Sequence, residues 1–105
     1  MVRRKPRHSN LPYSPQHMKL LENALDSLDR LFDNESTAVD VYTILFATAS
    51  AMADTDMHEL LSSTSNELHR IIRTGPPASQ AVRDQALDAT DKLRGRLAEV
   101  LPFLT

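Results

Sequence analysis

The sequence predicts an all-α protein, a four-helix up-down bundle preceded by a disordered basic N-terminal arm. Three observations lead there. Apolar residues return every three or four positions through four separate segments, the period of an α-helix. Helix-start and helix-stop signals fall between those segments: Ser14-Pro15, Thr37 with Asp40, Asp56 with Glu59, and Gly75-Pro76-Pro77. Only two glycines occur, which leaves little material for strand turns or phosphate-cradling loops. A chain of 105 residues is one domain's worth, divided into a flexible basic arm over residues 1–13 and a helical bundle domain over 14–105.

The arm, residues 1–13, holds two prolines and four cations with little apolar material. The first helix, 15–33, opens with Ser14 as cap and Pro15 at the first helical position. Met18, Leu21, Leu25, Leu28 and Phe32 form its apolar stripe, widened by Leu20, Ala24 and Leu31, with Lys19, Glu22, Asp26, Arg30 and Asp33 on the other side. The second helix, 37–53, starts at the Thr37–Asp40 capping pair and lacks a polar side. Val41, Leu45, Thr48 and Met52 make one face, Tyr42, Phe46, Ala49 and Ala53 adjoin it, and Thr43, Ala47, Ser50 and Ala51 form a smooth face of small residues. A helix of this kind is expected to sit among neighbours. The third, 56–74, starts from an Asp56–Glu59 capping box and ends where Gly75 supplies a left-handed cap before two prolines. The fourth, 78–100, carries Val82, Ala86, Ala89, Leu93, Leu97 and Val100 on one stripe, interrupted by Gly95 on its way to Pro102. Short connections favour antiparallel neighbours.

Several kinds of chemistry are excluded or find no support. The chain has no cysteine, so disulfides, thiolate metal sites and thiol nucleophiles are ruled out. No G-x-S-x-G elbow, P-loop or dinucleotide glycine pattern occurs. The stretch "HELLSSTSNELH", 58–69, invites a metal reading. The HExxH pattern, however, needs its second histidine one turn after the first, and that position is Ser62. His58 and His69 lie within about 20° around the axis but roughly 16 Å apart along it, too far for one ion. They are expected to be solvated polar residues toward the exposed side. "DTDMH", 54–58, lacks the glycine and terminal glutamate of a calcium loop, and His8 and His17 have no fixed carboxylate neighbour. The expectation is a protein that is not an enzyme and needs no metal or cofactor. "AVDVYTILFATASAMA", 38–53, is shorter than the roughly 20 residues of a membrane span and contains Asp40. A cytoplasmic location is the default.

Surfaces then carry the functional expectations. The net charge of −2 conceals a basic arm, with Arg3, Arg4, Lys5 and Arg7 in the first ten residues, and an acidic body. Between Glu22 and Asp40 six acids (Glu22, Asp26, Asp29, Asp33, Glu35 and Asp40) face one base, Arg30. Like charges at helical spacing repel slightly, and tolerating them suits a cationic protein partner. The favoured expectation is a small protein–protein interaction module, an inhibitor or immunity-type protein whose acidic edge engages a cationic toxin or enzyme. One alternative is a nucleic-acid accessory protein docking through Arg3, Arg4, Lys5 and Arg7. Another is a homodimer through helix 2, its face made by Thr43, Ala47, Ser50 and Ala51, unless Leu11, Tyr13, Phe103 or Leu104 covers that side.

Overall fold

The structure, a computed structural model, describes residues 13–101. Four helices make up the body: α1 Pro15–Phe32, α2 Ala38–Ala51, α3 His58–Ile71 and α4 Gln80–Val100. Each packs against the next in sequence and α4 closes back on α1. α2 meets α4 across one diagonal of the resulting square, while α1 and α3 stand apart on the other. The bundle is therefore up-down, with α1 and α4 forming one side and α2 and α3 the opposite side. The basic arm's Arg3, Arg4, Lys5 and Arg7, together with Leu11, Phe103 and Leu104, lie outside the described residues.

Helix starts follow local chemistry. The Ser14 hydroxyl accepts the His17 N–H at 3.1 Å, with Pro15 at the first helical position. Thr37 and Asp40 form the expected reciprocal box: the Thr37 Oγ1 accepts the Asp40 N–H at 3.4 Å, and the Asp40 Oδ2 accepts the Thr37 N–H at 3.2 Å. Ser79 caps α4 by accepting the Val82 N–H at 3.2 Å, so that helix begins at Gln80 rather than 78.

Three local expectations are corrected. The Asp56–Glu59 box does not form. The cap position of α3 is Met57, already in helical conformation and without a side-chain bond. Turns from Met52 through Thr55 lead α2 directly into α3, and the Asp56 carboxylate accepts the Tyr13 hydroxyl instead. Gly75 is not left-handed, since no glycine has positive φ. It precedes Pro76, and the residue before a proline is driven toward extended conformations. The left-handed residue is instead Asn34, at φ 62. It closes α1 with the paired bonds of a Schellman motif, Asn34 N–H to the Leu31 carbonyl at 3.1 Å and Glu35 N–H to the Arg30 carbonyl at 2.7 Å. The third correction concerns Tyr13, assigned above to the arm. It is packed into the core, and its hydroxyl donates to Asp56 Oδ1 at 2.5 Å.

The interior is aliphatic. Met18, Leu21, Leu28, Leu31, Leu45, Met52, Met57, Leu61, Leu68, Ile71, Leu93 and Leu97 are fully buried, and truncating any one to alanine is expected to cost about 2–5 kcal/mol. Five hydroxyls share the core: Ser27, Thr48, Thr64, Ser65 and Thr90. Four of them return a hydrogen bond to a carbonyl of their own helix, three or four residues back, at 2.7–2.8 Å. This is how a helix absorbs a hydroxyl without a partner elsewhere. The Ser65 Oγ has no partner among the described residues. The described phenylalanines are outside: Phe32 is 54% exposed and Phe46 57%.

Candidate functional site

The histidine-flanked stretch is accounted for by packing. His58 is half-buried, and its Nδ1 lies 2.8 Å from the carbonyl of Ala49 in the last turn of α2. A carbonyl only accepts, so Nδ1 carries the hydrogen. Helix ends leave their last carbonyls unpaired and partly negative, and α2 has no basic residue of its own in its last turn. The Ala49 carbonyl accepts the Met52 N–H at 3.2 Å, and His58 adds a side-chain donor from the start of the next helix. His69 is exposed but its ring rests on Tyr42, with centroids 5.3 Å apart. The expectation of solvated histidines is therefore corrected for His58, which is engaged with α2, while His69 is exposed as expected. The flank they share is the one on which α2 lies. Glu67 is paired with Arg70, which holds the Glu67 carboxyl below its usual range through that hydrogen bond.

A shallow groove of about 640 Å³ lies beside His58, lined by Ala53, Thr55, Asp56, Glu59, Ser62, Ser63 and Asn66. Among the described residues no three His, Asp or Glu side chains are grouped to hold a metal ion. His17 is half-buried on α1. Likewise among the described residues, no helix is long and apolar enough to cross a membrane.

The acidic residues singled out from Glu22 to Asp40 divide into two groups. Glu22, Asp26, Asp33 and Glu35 are exposed, and Asp26 lies 3.7 Å from Arg30 in an ion pair open to solvent. Asp29 and Asp40 have structural work. Asp29 receives the Arg94 Nε at 2.9 Å, tying α1 to α4, while Asp40 closes the capping box of α2. Arg94 also lies over the Phe32 ring, 4.5 Å from its centroid, so the exposure of that phenylalanine is explained by a cation held on its face. Arg83, another α4 cation facing α1, donates to the Phe32 carbonyl at 2.8 Å. It thereby caps the C-terminus of α1 from across the bundle.

The structure adds three acids that the sequence reading missed. Asp84, Asp88 and Asp91 are exposed on α4, opposite the buried Val82, Ala86, Thr90, Leu93 and Leu97. Asp91 lines the same groove between the helices as Asp29 and Arg94. Their spacing of four and three residues was a readable signal, and the packing of α4 on α1 puts both sets of acids on neighbouring helices. At the top of α1, Asp33 is the cap residue and Glu35 follows it, where the helix dipole disfavours negative charge by about 0.3–1 kcal/mol.

On the opposite side, Thr43, Ala47, Ser50 and Ala51 are all exposed, with Val39 at 36% and Phe46 at 57%. Tyr13, one of the residues expected to cover this face, is engaged with Asp56 at the end of the bundle instead. Compared with models of protein families, with curated proteins and with solved structures, the chain matches none.

Proposed function

We propose that the protein is a non-enzymatic interaction module that captures a cationic protein through the acidic outer faces of α1 and α4. An inhibitor or immunity-type role follows naturally from that chemistry, the acidic side seating in the positive cleft of a toxin or nucleic-acid enzyme. The observation that supports the reading is that Glu22, Asp26 and Asp33 on or next to α1, and Asp84, Asp88 and Asp91 on α4, are all exposed on two helices that pack against each other. Placing Asp33 and Glu35 at the negative end of α1 costs stability, which is understandable where charge serves recognition. A fixed acidic surface raises the association rate with a cationic partner and sets its register.

The test uses Glu22→Gln, Asp26→Asn and Asp33→Asn together, leaving Asp29 and Asp40 to their structural bonds. Immobilised wild type and variant are offered the same cell extract. The reading expects a basic protein retained by wild type, released as salt rises toward about 0.5 M where the screening length falls to a few ångströms, and absent from the variant. Equal retention by both forms refutes it.

A further inference from the structure

We infer that the groove between α1 and α4 at Gly95 is the seat for an arginine side chain of the cationic partner. The inference rests on the function proposed above and names its anchoring contact. The groove has a volume of about 360 Å³ and is lined by Leu25, Asp29, Asp91, Arg94, Gly95 and Ala98.

Gly95 is the residue that the fold leaves unexplained. It lies within α4, Gln80–Val100, where glycine costs helix stability relative to any residue but proline. Its φ is not positive, so the backbone does not require it. A Cβ added there meets nothing within 4 Å, so packing within the described residues does not require it either. What the missing side chain leaves is open space beside the main chain of the groove, the use of glycine where a ligand approaches the backbone closely.

The charges of the groove select what enters it. Arg94 donates from Nε to Asp29 Oδ1 at 2.9 Å and lies over the Phe32 ring, so its charge is already met within the bundle. Asp91 is exposed and enters no ion pair among the described residues. One cation against two carboxylates leaves the lining negative. An anion is repelled by that surplus, and an apolar side chain would strip the carboxylates of water without pairing them. Between the two cations, arginine fits better than lysine. Its guanidinium is planar, weakly hydrated and able to engage both oxygens of one carboxylate, while its methylene stem lies along apolar surface, here that of Leu25 and Ala98.

The test titrates the 15N-labelled full chain at low salt with N-acetyl-arginine amide. A single side chain in an open groove is expected to bind with a dissociation constant on the order of 1 mM, with the largest amide shifts at Leu25, Gly95 and Ala98. N-acetyl-citrulline amide, of the same shape without the charge, should shift none of them. Asp91→Asn should weaken binding at least about threefold; Asp88→Asn, the same charge change outside the groove, should leave it nearly unchanged. Gly95→Leu, at an exposed helical position, should keep its helicity by circular dichroism and abolish binding. Largest shifts elsewhere or none, equal shifts from the citrulline probe, equal loss in Asp91→Asn and Asp88→Asn, or full binding by Gly95→Leu overturns the inference. Failure here is distinct from failure of the proposed function: a basic protein retained from extract by wild type and Gly95→Leu alike, but lost from the triple acidic variant, keeps the acidic surface and removes its anchor.

Discussion

Replacing Tyr13 by phenylalanine removes one oxygen and keeps the ring, which is 8% exposed and belongs to the core cluster. What is lost is the 2.5 Å bond from the phenol to Asp56 Oδ1. A hydrogen bond to an ionised acceptor contributes about 1.5–3 kcal/mol; Asp56 is itself exposed, so the expected loss at neutral pH is about 1–2 kcal/mol. The same contact makes an alkaline prediction. Burial, then the hydrogen bond to Asp56 and its negative charge, push the Tyr13 pKa from 10.0 to about 12. A raised folded-state pKa means that unfolding favours ionisation. The stabilisation is therefore whole below pH 10 and drains away between pH 10 and about 12. Two pKa units set a ceiling of about 2.7 kcal/mol, compatible with the direct figure. Urea unfolding of wild type and Tyr13→Phe, followed by circular dichroism from neutral pH to above 11, should show a gap that narrows as pH rises through that window. No gap at neutral pH, or one that does not change with pH, would refute the claim that this bond latches the start of α1 to the α2–α3 turn.

Two further outcomes follow from particular atoms. A Cβ added at Gly95 meets nothing within 4 Å, so Gly95→Ala should stabilise α4 by about 1 kcal/mol and raise the melting temperature by about 5 °C; a lower melting temperature would contradict the open surroundings of that residue. His58→Ala should lose about 1 kcal/mol, because the Ala49 carbonyl at the end of α2 loses its side-chain donor, and amide exchange should quicken in the last turn of α2 before it does elsewhere.

The four helices were legible because each is written within a few residues of itself. The stripe Met18, Leu21, Leu28, Leu31 and the box of Thr37 with Asp40 involve positions three, four or seven apart, and helical geometry converts that spacing into a shared face whatever the rest of the chain does. Failures began where a local pattern had a distant competitor. Asp56 has the spacing of a cap, yet Tyr13, 43 residues earlier, takes its carboxylate. His58 falls on an outward arc of its own helix, but α2 lies against that arc.

The sequence alone therefore determined the class of fold, the positions of its rods and their greasy sides, and the absence of thiol chemistry. Tertiary structure decided which charges remain available, pairing Asp29 with Arg94 from 65 residues away and bringing Asp91 into the same groove as Asp29. It also decided that Phe46 is left outside. The physical reason is one of range: helix formation and apolar periodicity are set by neighbours within a turn or two, whereas the company each surface residue keeps depends on how the helices are rotated and staggered against one another, which no single segment specifies.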